Sequence, residues 1–302
     1  MRSAICILWI SILSAGAVLG QAATQDLILP VVANGYVRQP IHFQTVLRVL
    51  NLAAEAVEIT VEGFQNDGTA TRLFELFPLP RAGTKSTFTI GPLGSLEVST
   101  AGDVPTFNGW IRLTHPASAQ IQASAEVALI DALVGPHPIC SRTSREIVNT
   151  VEVRALAAAA RSGGFAVIRP NRQSAYAIVN PTEQAAEVFL SLLDFSGRLT
   201  GSATLQVAPR SRVSKFLTEF LAAAPADFMG SLRVSSVTPV AVAAINVIFP
   251  DGKLAAVTVN PEPPKICPAV IQAARNPLTG ECRLFPTPCE VPAGWVKVSS
   301  CN

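Results

Sequence analysis

Cys140 and His137 come closest in this chain to a thiol nucleophile and its base, set in the loop segment Gly135-Pro136-His137-Pro138-Ile139-Cys140-Ser141. A thiolate attacks where a thiol does not, and a neighbouring imidazolium lowers a cysteine pKa enough to supply one. No third side chain that would orient the imidazole can be identified. The pattern therefore favours an inert thiol, or one that links two chains, over a thiol-dependent enzyme.

Trp110 and Arg112 are the best ligand-surface pair. In Gly109-Trp110-Ile111-Arg112-Leu113-Thr114 the strand alternation sends Ile111 and Leu113 to a core and Trp110 and Arg112 to the opposite face. An outward indole beside a guanidinium can stack a sugar ring or a partner side chain. The competing expectation is that Trp110 covers a domain end or an inter-domain seam.

The third group is cysteine. Cys6 lies in an apolar leader, and four of the remaining five, Cys267, Cys282, Cys289 and Cys301, fall in the last 36 residues beside several prolines and a single Trp295. Such a segment buries too little apolar area to hold itself together, so disulfides are the expected staples, with three pairings open. Zinc is disfavoured because the spacings lack a short Cys-x₂₋₄-Cys knuckle and no histidine is near. The tail's expected role is capping or docking; the elements of a Kazal-type inhibitor are missing.

Other chemistry is poorly supplied. The sequence contains no GxSxG elbow, HExxH, Walker loop or GxGxxG, and no acidic pair has a sequence reason to converge on one cleft. Asp67 and Asp251 read as turn residues, and His42 and His115 as packing or solvent-edge side chains. The loop residues Tyr36, Arg38, Arg169, Asn171 and Arg172 are solvated by expectation. Neither a metal nor a cofactor is expected. With 23 basic and 21 acidic side chains and a net charge of +2, the chain has no field to recruit nucleic acid or an anionic membrane.

The elements that would position these residues are strands. Val57-Glu58-Ile59-Thr60-Val61-Glu62 alternates cleanly, so Val57, Ile59 and Val61 face a core. Asn66-Asp67-Gly68, Ser196-Gly197 and Asp251-Gly252 mark turns. The segment from Val46 to Gly68 lines up without a gap on Ala175 to Gly197, with Asn51 and Asn180 each 17 positions before the closing glycine. Further on, Gly109–Thr114 matches Gly230–Ser235 and Ile121–Ala125 matches Val240–Ala244. An internal duplication accounts for both sets. Short alternating strands of this kind predict an all-β fold of two tandem immunoglobulin-like antiparallel β-sandwiches plus a small disulfide-rich C-terminal module. The expected divisions are a signal peptide at 1–22, sandwiches at 23–156 and 157–262, and the cysteine-rich module at 263–302. Ser214 to Leu221 predicts one or two helical turns with Ser214 as N-cap and a Phe216/Phe220 pair, and Ala155 to Arg161 a linker of uncertain helicity.

The AIVNP segment at Ala177–Pro181, the strand and Ser-Gly turn after it, the FLTEF helix and the GSLRVSS strand resemble the Ig-like β-sandwich repeats of bacterial secreted proteins, such as those of acidobacteria. The resemblance covers roughly residues 27 to 262, with a longer insertion between Gly68 and Gly109 in the first copy. It implies an exported surface or extracellular protein and no activity.

The leader agrees with export. Arg2 and the apolar run Ala4 to Leu19, followed by Gln21-Ala22-Ala23, read as a signal peptide cut after Gly20 or Ala22, with retention as an anchor the alternative. No later segment predicts a membrane span. The function expected is that of a secreted, noncatalytic structural or adhesive protein of the cell surface or extracellular matrix. Its partners would be proteins or polysaccharides of the envelope or matrix, or further copies of itself. The alternatives are a carbohydrate-binding accessory module centred on Trp110 and a thiol enzyme centred on Cys140.

Overall fold

The computed structural model describes residues 23–38, 41–72, 77, 84–100, 102, 106–131, 146–157, 159–169, 171–248, 253–257, 259–260 and 268–301. The leader, His137, Cys140, the Asp251-Gly252 turn and Cys267 lie outside the described residues, as does the side chain of Arg38. The described chain is almost entirely antiparallel β-structure, and its alternating sequence explains why.

The first unit consists of β1 (Thr24–Arg38), β2 (Ile41–Asn51), β3 (Val57–Gln65), β4 (Ala70–Thr71), β5 (Lys85–Ile90), β6 (Ser95–Ser99), β7 (Phe107–Pro116), β8 (Ile121–Asp131) and β9 (Glu146–Arg154). These pair in the order β4-β3-β7-β1-β2-β8-β9, with β5 beside β3 and β6 beside β2. Strand β1 joins two layers, pairing with β7 over Thr24–Asn34 and with β2 over Gly35–Arg38. Alternation then decides the core: Val57, Ile59 and Val61 are buried, and they meet Leu29, Ile111 and Leu113 from their own layer and Leu47, Val49 and Ala125 from the other. Each such side chain contributes roughly 1.5–3 kcal/mol by leaving water.

The second unit repeats the arrangement with β10 (Ala159–Ile168), β11 (Arg172–Val179), β12 (Ala186–Asp194), β13 (Leu199–Val207), β14 (Arg212–Phe216), the one-turn helix α1 (Leu217–Phe220), β15 (Met229–Ile248), β16 (Lys253–Val257) and β17 (Val259–Asn260). Here β15 runs through both layers, pairing with β12 over Met229's end and with β11 beyond Pro239. The sequence-matched segments carry the same ladder register. Leu50 stands opposite Gln122 and Val179 opposite Ala241; Val61 stands opposite Leu113 and Leu190 opposite Val234.

The matched residues also do the same work. Asn51 Nδ2 donates to the carbonyls of Glu55, Ile90 and Gly91 while its Oδ1 accepts from Ala53 N, and Asn180 repeats this with Gln184, Val207, Ala208 and Thr182. Each asparagine ties two loops at one end of its unit and is fully enclosed. Asn51→Ala and Asn180→Ala strand the same set of carbonyls, so each is expected to lower stability by about 2 kcal/mol in urea unfolding. Gly109 and Gly230 match in the same way: a Cβ would stand 2.0 Å from the Phe64 carbonyl in one and 2.1 Å from that of Leu193 in the other.

Two local expectations need correction. The alanine-rich stretch after Val153 pairs rather than coils: Leu156 bridges Ile28, and β10 begins at Ala159. Helix propensity there yields to ladder hydrogen bonds. The helix starts later than Ser214, which lies in β14, and its first turn is held by the Glu219 carboxylate accepting from Phe216 N at 2.6 Å. Leu217 and Leu221 enter the core, whereas Phe216 and Phe220 are only half-buried.

The C-terminal segment is a three-stranded sheet ordered β19-β18-β20, made of β18 (Gln272–Arg275), β19 (Cys282–Phe285) and β20 (Val296–Val298). A disulfide joins Cys282 to Cys301, and Cys289 is disulfide-bonded as well. No helix among the described residues is long and apolar enough to cross a membrane.

Candidate functional site

Strand alternation does place Trp110 and Arg112 on the face of β7 turned away from the first core, and that face is covered by the second unit. Trp110 has no exposed surface. Its ring stacks on Phe64 with centroids 4.4 Å apart, and its Nε1 donates to the Arg210 carbonyl at 3.0 Å. Ile28, Phe64 and Trp110 of the first unit close with Val179 and Ala241 of the second into one apolar cluster. Arg112 lies over both rings, 5.3 Å from the Phe64 centroid and 5.6 Å from that of Trp110, and its Nη2 donates to the Pro181 carbonyl at 2.5 Å. The indole is therefore a seam residue and presents no face to a sugar.

A residue outside the sequence-derived set completes the seam. Arg212, the first residue of β14, is 4% exposed and reaches into the first unit. Its Nε donates to Asn66 Oδ1 at 2.9 Å, its Nη1 to the carbonyls of Pro30 at 3.0 Å and Gly109 at 2.5 Å, and its Nη2 to Asn108 Oδ1. The Arg212 backbone N adds a bond to the Asn66 carbonyl. Burial pushes the guanidinium down to about 10, which leaves it charged at neutral pH with neutral acceptors around its fork. The turn glycine Gly68, at φ +88°, lets the β3–β4 turn close on Pro209 and Arg210, where a Cβ would stand 2.8 Å from the Pro209 carbonyl. The only sequence signal for Arg212 was a difference between copies, since the matched ladder position in the first unit is Ser95.

A second patch of the seam brings Ala33, Val127 and Val151 against Ile245 and Leu254. Beside it lies a cleft of about 660 Å³ between β9 and β15–β16, lined by Val151, Val153, Val242, Ala244 and Val257 together with Glu152 and Arg154. Its polar lining is one carboxylate, Glu152, one guanidinium, Arg154, and the Thr150 hydroxyl, so among its lining residues there is no carboxylate pair and no Cys, His or Ser for acid-base or covalent chemistry.

The C-terminal module covers the matching layer of the second unit. Phe285 and Trp295 meet Phe189 edge-on at 5.9 and 6.2 Å, and Leu193, Leu199 and Ala274 close the cluster. Arg283 pairs with Glu187 at 2.6 Å, and Asn276 Nδ2 donates to Ser202 Oγ at 2.8 Å. Gly294, at φ +84°, packs directly on Leu199. Each unit thus has one outer layer face covered by whatever follows it in the chain.

Of the remaining sequence-derived residues, Tyr36 and Asn171 are exposed, as expected, and the others pack or bond locally where they are described. His42 and His115 are buried, His42 meeting Tyr36 edge-on at 5.7 Å and His115 Nδ1 lying 2.9 Å from the Pro116 carbonyl. Arg169, expected in solvent, instead bonds the carbonyls of Ala224 and Pro225. Asp67 caps its turn by accepting from Thr69 N at 2.9 Å, and this bond holds its carboxyl below the usual range. Among the described residues no group of three His, Cys, Asp or Glu side chains could hold a metal ion. No protein-family model, curated protein or solved structure matches the chain.

Proposed function

We propose that this chain is a secreted, noncatalytic structural or adhesive protein of the cell surface or extracellular matrix, built as two tandem Ig-like sandwiches capped by a disulfide-stapled module. One observation carries the reading: Trp110, the best ligand platform in the sequence, is enclosed with Arg212 in a seam between the two units, and Arg112 beside it is tied to the Pro181 carbonyl. Residues that would otherwise recognise a small ligand here hold a scaffold together. The disulfide between Cys282 and Cys301 suits an oxidising compartment, in keeping with the leader. A glycan-binding role centred on Trp110 loses its stacking face.

The test is made on protein recovered from its native secretion route. Saturable retention on envelope or matrix fractions, with a Cys267–Cys289 bridge beside Cys282–Cys301 on mass-spectrometric disulfide mapping, is the expected result. No retention, together with a hydrolase activity abolished by Cys140→Ser, would replace this reading with the thiol enzyme.

A further inference from the structure

The C-terminal module has no core to fold around except the one it shares with the second unit. Its strands are only four, four and three residues long, too short for a sheet to hold without a packed face. Among its described residues the buried side chains, Ala273 and Pro292 apart, all close on the second unit: Ala274, Phe285 and Trp295 meet Phe189, Leu193 and Leu199, and Asn276 bonds Ser202. Elsewhere on the module Ile271, Leu284 and Val296 are 74%, 65% and 54% exposed, so these larger apolar side chains gather into no second cluster. Folding of the module and its docking are therefore one event.

Covalent bonds tip that event. Cys282 opens β19, Cys301 follows β20, and the bridge between them spans a sequence separation of 19. Closing a loop of that length shifts a folding equilibrium by roughly a hundredfold. Cys289 is bridged as well, and all three cysteines are only half-buried, within reach of a dissolved thiol.

The surface under the module is the second unit's counterpart of the seam. Leu193 stands opposite Ser231 as Phe64 stands opposite Trp110 in the first unit. Without the module, Phe189, Leu193 and Leu199 would form an apolar strip that no other described residue covers.

We propose that the module is a redox-gated cap on this strip. With its bridges formed it stays docked; when a dithiol reduces them it comes away while both sandwiches remain folded. Each opening moves two electrons and two protons from the dithiol to one cystine. The cystine S–S bond breaks to give two cysteine thiols, and the two sulfurs of the dithiol join in a disulfide of their own. Exchange with an added disulfide runs the same step backwards and closes the cap. A chain in a reducing compartment thus carries the strip bare, and one in an oxidising compartment carries it covered. This gating goes beyond the structural or adhesive reading and does not depend on it.

Hydrogen exchange read by mass spectrometry on the full, oxidised chain, before and after dithiothreitol in native buffer, tests the proposal. Once alkylation shows the thiols to be free, the amides of β18, β19 and β20 are expected to exchange roughly a hundredfold faster, while those of β3, β7, β11 and β15 do not change. Trp295 emission should move to the red and an apolar dye should bind, and replacing the dithiol by glutathione disulfide should reverse all three changes. Phe285→Ser with Trp295→Ala, its bridges intact, removes the shared core and is expected to unprotect β18 to β20 without any reductant. Protection of these strands that survives full reduction, sandwiches that lose protection along with the module, reduction without dye uptake, or a bridged double variant that stays protected would each overturn the proposal.

Discussion

Trp110→Ala is expected to lower stability by about 4 kcal/mol, the range for truncating a fully buried aromatic. The change removes the ring that stacks on Phe64, opens the cluster shared with Val179 and Ala241, and leaves the Arg210 carbonyl without its donor. Trp110→Phe keeps most of the apolar contact and loses the Nε1 bond, so it should cost only about 1 kcal/mol. Guanidinium unfolding of the two variants separates packing from hydrogen bonding. A surface tryptophan held for a ligand would instead change stability by less than about 0.5 kcal/mol on truncation.

Arg212→Ala acts on the same seam by different physics. It strands the Pro30 and Gly109 carbonyls and the Asn66 and Asn108 side chains, all of which the guanidinium satisfies. Buried acceptors left unpaired cost about 1–3 kcal/mol each before water or repacking relieves them, so a net loss of about 4 kcal/mol is expected. Arg212→Lys should recover little, because an ammonium is a point donor and cannot serve acceptors spread around a planar fork. The loss falls at the junction of the two units and not within either core, so it should show as uncoupling. Because burial already pushes the folded pKa down from its unfolded value, the folded form carries a cost for its charge at neutral pH. Stability attributable to this group rises only as pH climbs from about 10 towards the unfolded value, and it is flat across the neutral range.

Much of this architecture was readable from residue order. The alternation of Val57 to Glu62 put Val57, Ile59 and Val61 in the core, and the Asn51/Asn180 match located two loop-tying asparagines with the same bonds. These features are local, or repeated, and strand periodicity or self-comparison finds them. The direction of the Trp110 side chain was equally legible. A seam over it was one of the two expectations, but the residues that form it were not legible, because the Arg210 carbonyl that meets Trp110 lies 100 positions away and the Pro181 carbonyl that holds Arg112 lies 69 away. Arg212 escaped for a related reason, being buried against backbone carbonyls and amides that leave no charge partner in the sequence to pair it with. At Ala155 to Arg161, local propensity pointed one way and ladder pairing the other, and pairing prevailed, with Leu156 bridging Ile28 and β10 pairing with β15 from Ala159 to Ile168. Cysteine count announced a stapled tail, but only the fold of β18 to β20 brings Cys282 and Cys301 to a Cα separation of 5.4 Å.

Differential scanning calorimetry of the wild type against Arg212→Ala tests the seam most directly. If Trp110, Arg112 and Arg212 lock the units into one body, both units melt in a single transition in the wild type, and the variant shows two, the first displaced downward. Two independent transitions in the wild type, neither of them moved by the substitution, would contradict the account.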